Sequence, residues 1–596
     1  MSTSIAPPGL RLLGVPAAPG IAVGRAILLD RGRLHVARLR IDESGVGREI
    51  ERLHFAIETA LAELEDLRAR VDGQGGGSFR PILDAHVAMH RDPLLVSGCE
   101  RAIRETRTNA EWAVRSVVDG LEGQLRAASD PYLRERAADV AHVGDRILRA
   151  LLGHDPELPP MEPGAIVVAR DLGPADTAQL VRTSVEGLVL ELGSATSHTA
   201  ILARTLGIPA VVGIVDATRL LSRGDVIVVD ALRGEVLIEP DAATLERVEA
   251  RARRYRHYTG RLREQRGVPC ATRDGVSIEL SANVELPSEA ALAGHEGAAG
   301  IGLYRTEYLY MERGAPPSEA DQARVYSDVA RVMAPRPVVF RTFDLGSDKL
   351  ASVSAPFRAT NPALGMRGLR LALLRSDLLL AQVRAILRAA VHGEVRLMFP
   401  MVAGAADLRT ARALVDRAAR ELSDEGVPHR RVQIGAMIEL PSAVAMADVL
   451  ARECDFFSVG TNDLVQYTLA IDRGDPKLAG LARSYDPAVL RLLDATARAA
   501  KERGIPVAMC GDMAGDPVTL PLVLGLGYRS LGMPLPQIPL ARALIACLDA
   551  GEVQALAREA LQLSTAEEVA ELLLTRLGEV LGEVWEEQGV RLGWRA

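Results

Sequence analysis

The chain has 596 residues, of which 48% are hydrophobic and 25% are charged, a composition typical of a globular protein with several cores. Its net charge of -8 argues against a general nucleic-acid-binding or anionic-membrane surface. The five cysteines are scattered without a C-x-x-C pair, which argues against a structural zinc site. With no long apolar run and no basic-then-apolar leader, we expect a cytoplasmic protein.

Two short strand-like runs punctuated by Pro and Gly open the chain between Gly14 and Leu29. From about Gly45, apolar residues recur every three or four positions, as they do along one face of a helix. The same periodicity continues in three further stretches, Pro81–His86, Ala110–Leu125 and Tyr132–Leu152. This pattern predicts a bundle of about four helices. His86 and His90 have the spacing of a metal pair but lack a third ligand, so a solvated or interface helix face is favoured.

Alternation of strands and helices returns after about residue 160. Five apolar runs predict strands: Ala165–Arg170, Gly187–Leu190, Ala210–Gly213, Asp225–Asp230 and Glu235–Ile238. We expect the first strands of the chain to complete the same sheet, which makes the helical bundle an insertion into one α/β domain. A charged stretch from Ala242 to about Arg266 lacks a wide apolar stripe and predicts a solvated connector helix, so the domains it joins can move.

Within the α/β domain, the stretch Glu191–Arg204 predicts a small-residue loop that enters a helix at His198. The free N–H groups and the dipole of a helix start favour an anion, and the small residues Gly193, Ser194 and Ala195 let the backbone approach a phosphate. A neutral imidazole at this place can accept a phosphoryl group. The alternative is a Thr-Ser helix cap followed by a solvent-facing histidine, and the loop alone does not decide between the two.

From Cys270 to Ala596, eight strand candidates alternate with helical stretches, which predicts a (β/α)₈ barrel. The candidates are Val276–Val284, Gly300–Glu307, Val338–Asp344, Val395–Val402, Gln433–Glu439, Phe456–Asp463, Pro506–Cys510 and Ser530–Met533. Chemistry in such barrels gathers at the C-terminal strand ends, which here carry Asn283, Arg305, Arg341, Asp344, Glu439, Asn462, Asp463 and Cys510. Each alone is consistent with ordinary turn polarity. As a set, they match a substrate with phosphate and carboxylate groups bridged by Mg²⁺.

Several long motifs occur in the order that a known family shows. They are G-x-x-T-S-H-T-A-I-x-A-R around His198, Y-L-R-E-R-A-A-D-V at 132–140, G-I-G-L-Y-R-T-E at 300–307, R-T-F-D-L-G-S-D-K at 341–349, N-P-A-L-G-M-R at 361–367, F-F-S-V-G-T-N-D-L at 456–464, D-R-G at 472–474 and M-C-G-D-M-A-G-D at 509–516. Through them the chain resembles, nearly end to end, the phosphoenolpyruvate-protein phosphotransferases, which are enzyme I of the sugar phosphotransferase system.

The resemblance implies that phosphoenolpyruvate, held with Mg²⁺ in the barrel, phosphorylates His198, which then passes the group to a histidine of the phosphocarrier HPr while pyruvate leaves. It implies roles for further residues: substrate binding by Arg305, Arg341, Asn462, Asp463 and Arg473, metal binding by Glu439 and Asp463, and proton donation to enolpyruvate by Cys510. It also implies a division of the chain: residues 1–40 and 153–240 as a swivelling phosphohistidine α/β domain, 41–152 as an inserted helical HPr-binding domain, 241–269 as a helical linker, and 270–596 as a TIM barrel that binds phosphoenolpyruvate and forms a homodimer.

Four positions depart from the family's usual pattern: Ser194 and Ala195 replace Gly and Arg, Asp512 replaces Glu, and Met366 replaces Trp. None removes a group that the implied chemistry requires. Two alternatives remain beside a role in sugar uptake. A pyruvate phosphate dikinase or phosphoenolpyruvate synthase relative would lack its nucleotide-binding domain, because the chain has no P-loop pattern and no room for that domain before Leu158. A regulatory, nitrogen-type phosphorelay enzyme I would use the same chemistry.

Overall fold

The computed structural model describes residues 7, 9–29, 34, 36–72, 80–126, 131–153, 161–180, 183, 185–193, 199–200, 203, 207–264, 268–311, 316–345, 361, 363–472, 478 and 481–587. The chain divides into two compact units, Met1–His257 and Tyr258–Ala596. Among the helices of these described ranges, none combines the length and the apolar character needed to cross a bilayer.

The first unit contains a mixed sheet of eight strands drawn from both sides of the helical segment. They are β1 (Leu10–Leu13), β2 (Val15–Ala18), β3 (Ile21–Leu29), β4 (Ala165–Ala169), β5 (Val185–Leu190), β6 (Ala210–Val212), β7 (Val226–Asp230) and β8 (Glu235–Ile238), in the order β1-β8-β7-β3-β4-β5-β6-β2. The parallel pairing of β3 with β4 joins strands that the helical segment separates in sequence. The predicted insertion into an α/β sheet is therefore confirmed. Short helices at Pro174–Leu180 and Ala217–Leu220 accompany the sheet.

In its described residues the insertion contains five helices, one more than the sequence predicted: Val46–Asp72, Arg80–His90, Pro93–Thr106, Ala110–Arg126 and Pro131–Leu152. The unpredicted helix is Pro93–Thr106. Its N-cap is Asp92, whose carboxylate accepts a hydrogen bond from the Leu94 N–H at 2.8 Å, and Pro93 occupies the first helical position. Its buried residues Leu95, Cys99 and Ile103 recur every four positions and join the bundle core.

His86 and His90 lie inside this bundle. Their exposed fractions are 4% and 0%, so of the two expected alternatives, a solvated or an interface helix face, the solvated one was wrong. His86 Nε2 lies 3.5 Å from Asp139 Oδ1, and His90 Nδ1 lies 2.7 Å from the carbonyl oxygen of His86. Burial lowers the pKa of His90 to about 4, which keeps its imidazole neutral at neutral pH. Within the described ranges, no three His, Cys, Asp or Glu side chains form a metal-binding group.

The second unit is a closed barrel of eight parallel strands, which confirms the predicted fold class. The strands are β9 (Glu279–Val284), β10 (Ile301–Tyr304), β11 (Val338–Arg341), β12 (Val395–Phe399), β13 (Gln433–Ile438), β14 (Phe456–Val459), β15 (Val507–Met509) and β16 (Ser530–Pro534). Each pairs in parallel with the next, and β16 pairs with β9 to close the barrel. Each of the eight predicted strand candidates overlaps one of these strands.

Helices fill the connections between the barrel strands and follow the last one. The longer of these, each of nine or more residues, are Pro287–His295, Glu319–Met333, Ser376–Ala389, Ala405–Asp424, Thr461–Leu469, Pro487–Arg503, Ile538–Cys547, Ala550–Ala560 and Ala566–Glu587. The shorter ones are Tyr308–Met311, Gly368–Leu374, Pro441–Ala445, Ala447–Leu450 and Leu520–Gly525. One group of buried apolar side chains comes from six successive strands or strand ends, Leu303, Val339, Met398, Met437, Phe456 and Cys510. This packing makes the barrel a filled core.

A buried hydrogen-bond network fixes the backbone at one side of the barrel. Gln382, on the helix Ser376–Ala389, has no exposed surface. Its Oε1 accepts from the Phe343 N–H at 3.0 Å, and its Nε2 donates to Thr306 Oγ1 at 3.0 Å. The Thr306 hydroxyl in turn donates to the carbonyl oxygen of Arg341 at 3.0 Å. One amide therefore ties together the segments that follow β10 and β11.

Gln382→Met should destabilise the barrel, because the Phe343 N–H and the Thr306 hydroxyl both lose a buried partner. We expect the free energy of unfolding in urea to fall by about 2–4 kcal/mol. Gln433→Met, at the exposed start of β13, is the matched control and should change it by less than about 0.5 kcal/mol. Equal values for the two variants would contradict a stabilising role for the network.

Candidate active site

At the C-terminal end of the barrel, Arg341 is held between two acidic residues. Its Nη2 donates to Glu307 Oε1 at 2.8 Å, and its Nη1 lies 3.4 Å from Asp344 Oδ2. The three side chains are between 2% and 14% exposed. Burial by itself would lower the pKa of Arg341, but the charges of Glu307 and Asp344 outweigh it and hold the pKa above its ordinary value. The guanidinium is therefore a permanent, nearly buried cation.

Arg367 connects two of the acidic residues at this end. Its Nε and Nη2 donate to the two oxygens of Asp344 at 3.1 and 2.7 Å, and the same Nη2 donates to Asp463 Oδ2 at 3.1 Å. Such fork-shaped pairing fixes both the distance and the orientation of the partners. We did not predict Arg367 as a site residue. The signal for it was its place as the last residue of the N-P-A-L-G-M-R motif.

Glu439 and Asp463 follow the neighbouring strands β13 and β14 and are 2% and 6% exposed. Glu439 Oε1 accepts a hydrogen bond from the Met401 N–H at 2.6 Å. Burial, together with the negative charges of Asp463 and Asp344, raises the pKa of Glu439 from 4.5 to about 8. The carboxylates therefore hold a proton at neutral pH unless a further cation joins them.

Cys510 directly follows β15 and is 4% exposed. Asn283 Nδ2 donates to its carbonyl oxygen at 2.9 Å, which joins the end of β9 to the end of β15. Burial raises the pKa of the Cys510 thiol from 9.0 to about 11, so the thiol is protonated at neutral pH. Burial also raises the pKa of the thiols Cys99, Cys270 and Cys454. Position, rather than pKa, is what distinguishes Cys510 from them.

Arg305 and Asn462 belong to the same end of the barrel. Arg305 follows β10, is 39% exposed and forms an ion pair with Glu285. Asn462 Oδ1 accepts from the Asp512 N–H at 2.8 Å, which links the segments after β14 and β15. Because this contact uses the main chain of residue 512, it does not depend on which side chain that residue carries.

Two glycines allow the segments around the acidic residues to approach each other closely. A Cβ on Gly460 would lie 2.7 Å from Glu439 Oε2, and a Cβ on Gly511 would lie 1.9 Å from Thr461 Oγ1. Both distances are shorter than non-bonded atoms tolerate. Any larger residue would therefore fill space beside the carboxylate or displace the start of the helix Thr461–Leu469.

Polar atoms that are buried yet lack a hydrogen-bond partner within the described ranges recur at this end of the barrel. They include Asn283 Oδ1, Glu307 Oε2, Arg341 Nε and Thr461 Oγ1. Such atoms are rare in folded proteins, and a group of them indicates a place where a ligand, an ion or ordered water supplies the missing partners. The surrounding cations suit an anionic ligand, and the paired carboxylates suit a hard divalent cation.

Six of the predicted site residues come together in this way: Arg305, Arg341, Glu439, Asn462, Asp463 and Cys510. His198 and Arg473 lie outside the described residues, so their predicted roles stay predictions.

Three family profiles cover most of the chain. The profile of the "PEP-utilising enzyme, N-terminal" family matches residues 13–136, that of the "PEP-utilising enzyme, mobile domain" matches 161–234, and that of the "PEP-utilising enzyme, PEP-binding domain" matches 260–550. The third match contains all eight barrel strands and the charged residues at their ends. A solution structure of Enzyme I (nEIt) aligns with 41% of this chain and 99% of its own, at 37% identity and a TM-score of 0.36.

Three relatives that align along most of the chain are all named phosphoenolpyruvate-protein phosphotransferase. The phosphoenolpyruvate-protein phosphotransferase of Listeria innocua is 38% identical over 94% of this chain and 98% of its own length. Those of Enterococcus faecalis and Cupriavidus necator are 39% and 40% identical, covering 94% and 88% of this chain and 98% and 92% of their own lengths. The resemblance predicted from the motifs is thus confirmed, and the chain belongs to the phosphoenolpyruvate-protein phosphotransferase family of PEP-utilising enzymes.

Proposed function

We propose that this enzyme takes the phosphoryl group of phosphoenolpyruvate onto His198 and passes it to a histidine of an HPr-type phosphocarrier protein, releasing pyruvate. Family membership supports phosphoenolpyruvate as the phosphoryl donor. The observation that carries the proposal is the cluster at the barrel end, where Arg341 and Arg367 join three buried carboxylates beside the protonated thiol of Cys510.

Phosphoenolpyruvate carries a phosphate and a carboxylate, and the barrel end offers cations for both. We assign Arg305, Arg341 and Arg473 to these anionic groups, with Asn462 and Asp463 beside them. Arg305 is already paired with Glu285, and Arg341 with Glu307 and Asp344. An arriving substrate would therefore meet the nearly buried guanidinium of Arg341 in an orientation fixed in advance, which lowers the cost of arranging it during the reaction.

We assign Mg²⁺ binding to Glu439 and Asp463, and the residues fit this ion. Both offer hard carboxylate oxygens at adjacent strand ends, and Gly460 leaves open the space beside Glu439 Oε2. The raised pKa of Glu439 indicates negative charge that the present cations do not fully balance. When bound, Mg²⁺ would supply that balance and polarise substrate oxygens.

In the reaction, the bridging bond between phosphorus and oxygen breaks while a bond forms between phosphorus and a nitrogen of His198. The electron pair left on the enolate takes a proton at carbon 3, which gives pyruvate. We assign that proton to Cys510, whose thiol is buried and protonated at the same barrel end. Phosphoryl group and proton go to different partners, so the two transfers can be separated by mutation.

The remaining assignments follow the family pattern. Residues 41–152 would form the HPr-binding domain, residues 1–40 and 153–240 the phosphohistidine domain, and residues 270–596 the barrel that forms a homodimer, with 241–269 as linker. We place the reaction in the cytoplasm, where thiols stay reduced, because all five cysteines are free.

Two carrier proteins separate sugar uptake from the regulatory alternative. The enzyme is incubated with labelled phosphoenolpyruvate, Mg²⁺ and either a sugar-type HPr or a nitrogen-type carrier, and label on each carrier is followed over time. We expect faster transfer to the sugar-type HPr. Preference for the nitrogen-type carrier would replace the sugar-uptake role with the regulatory one, and absence of labelled enzyme would contradict the phosphotransfer itself.

His198→Ala should abolish labelling of the enzyme by phosphoenolpyruvate, because the acceptor nitrogen is gone. Label on the wild type should be acid-labile and base-stable, as a phosphorylated imidazole is. His257→Ala, which removes an exposed histidine of the first unit, is the matched control and should keep full labelling. One equivalent of label on the His198 variant would rule out this assignment.

The raised pKa of Glu439 should make the metal-free enzyme less stable as pH rises. Between pH 4.5 and about 8, the folded chain keeps a proton that the unfolded chain has lost, so raising the pH favours unfolding. Glu439→Gln removes this dependence. By calorimetry without metal, the variant should melt above the wild type at about pH 9 and close to it at about pH 5.

Glu279→Gln, at the exposed start of β9, is the control for that measurement and should keep the wild-type pH profile. Added Mg²⁺ should raise the melting temperature of the wild type and leave that of Glu439→Gln unchanged. Parallel pH profiles for Glu439→Gln and the wild type would be evidence that Glu439 is not the proton-holding group.

Cys510→Ala should separate substrate binding from pyruvate formation. Binding of phosphoenolpyruvate with Mg²⁺, measured by calorimetry, should persist, while pyruvate release falls by roughly 10²- to 10⁴-fold, the range for a lost general acid. Cys547→Ala removes the exposed cysteine and should release pyruvate at the wild-type rate. A wild-type rate in Cys510→Ala would reduce Cys510 to a packing residue of the barrel core.

A further inference from the structure

The first unit contains a cavity of about 500 Å³ between one edge of the sheet and the connector helix, Ala242–Glu264. Its lining includes the carboxylates Asp230, Glu235 and Asp241 and five arginines, Arg11, Arg233, Arg247, Arg251 and Arg254. This excess of positive charge stands out in a chain whose net charge is -8. None of the proposed catalytic or substrate-binding roles uses these residues.

Residues on one face of β1, β8 and β7 form the floor of the cavity. Arg11 on β1 lies opposite Leu237 on β8, which lies opposite Val228 on β7. In the next row on the same face, Glu235 lies opposite Asp230. Two like charges in such a position repel each other, and each has an arginine partner. Arg11 pairs with Glu235, and Arg251 Nη2 lies 2.5 Å from Asp230 Oδ2.

The connector helix forms the wall. Leu245, Val248 and Ala252 pack this helix onto the sheet. The expectation of a solvated connector was therefore wrong for the first three turns of the helix. Arg247, Arg251 and Arg254 follow a spacing of three and four residues, so they share one stripe beside the packed one. That stripe lines the cavity, with Arg251 half-buried and with Arg247 and Arg254 exposed at its rim.

The ion pairs leave positive charge in excess. Arg11 and Arg251 balance Glu235 and Asp230, while Asp241 serves as a helix cap by accepting from the Thr244 N–H at 2.7 Å. Arg233 and Arg247 add charge beyond these two pairs, and part of the Arg247 charge acts on Asp241. Arg251 Nε is buried and has no hydrogen-bond partner within the described part of the chain. A buried donor of this kind calls for an acceptor that is not part of the fold.

We propose that this cavity is a binding site for a small organic anion with two or more phosphate or carboxylate groups. Arg233, in the turn between β7 and β8, and Arg247, on the helix, would bind it from two sides. Leu237, which is half-buried on the cavity floor, offers apolar surface for a carbon body. The boundary between the two compact units falls within the same helix, so the anion would act as an effector that stabilises the segment joining them.

Hydrogen exchange of the full-length enzyme, read by mass spectrometry, tests this with pyrophosphate and citrate as probes and sodium chloride at equal ionic strength as reference. Exchange is compared for peptides covering Ala242–Glu264, so that binding elsewhere in the chain does not contribute to the signal. At ten times the dissociation constant, amide opening in the first three turns should slow by about tenfold. A stronger effect of pyrophosphate identifies a phosphate ligand, and a stronger effect of citrate identifies a carboxylate ligand.

Arg247→Gln should lose this protection, because it removes a cation from the cavity. Arg253→Gln is the matched control, since Arg253 lies on the same helix, is exposed and does not line the cavity. It should keep the protection. The proposal is overturned if neither probe slows exchange at up to about 10 mM, a limit that corresponds to roughly 3 kcal/mol of binding. It is also overturned if both variants keep the protection or lose it equally, which would indicate non-specific charge effects.

Discussion

Burial of like charge at one end of the barrel is the constraint on which the candidate site depends. Asp344, Glu439 and Asp463 are each at most 8% exposed. Three buried negative charges so close together repel one another, so positive charge or a bound proton must balance them. Arg341 and Arg367 balance part of this negative charge, and the proton on Glu439 neutralises a further part. The same charge balance leaves a place whose chemistry suits a metal ion and an anionic substrate.

The support for these charges is built into the backbone around them. Gln382 joins the segments after β10 and β11 through Thr306, whose hydroxyl donates to the carbonyl oxygen of Arg341. The guanidinium of the same arginine donates to Glu307. On the other side, Gly460 and Gly511 allow close approach where a Cβ would collide. Fixed donors and acceptors of this kind need little rearrangement when substrate arrives, and that is how a rigid scaffold contributes to rate.

The barrel could be predicted because each of its strands is a short apolar run bounded by turn residues, and because the C-terminal ends of all strands must meet at one end. That geometric rule brought together Arg341, Glu439 and Cys510 from sequence alone. Arg367 was not predicted as a site residue because it does not directly follow a strand. Only the folded chain places it beside Asp344 and Asp463. The burial of His86 and His90 could not be predicted for a related reason. Helical spacing says that two residues share a face but does not say what covers it.

The connector helix is a second case in which the sequence pattern did not predict what covers a helix face. Its many charges predicted solvation, yet Leu245, Val248 and Ala252 provide a narrow stripe that is sufficient for packing on a sheet. The helix Pro93–Thr106 was missed although Asp92 and Pro93 form a good start signal and its buried residues recur every four positions, the spacing that predicted the other helices.

The order of strands in the first sheet has a consequence for synthesis on the ribosome. β1 pairs with β8, and β3 pairs with β4 and β7, so none of the early strands has a partner until the helical bundle has been made. At 5–20 residues per second, β1 waits roughly 10 to 50 seconds for β8. During that interval the apolar strand β3 emerges from the ribosome with both edges open. Slowing translation within the bundle would lengthen the period in which this strand stays unpaired and open to aggregation.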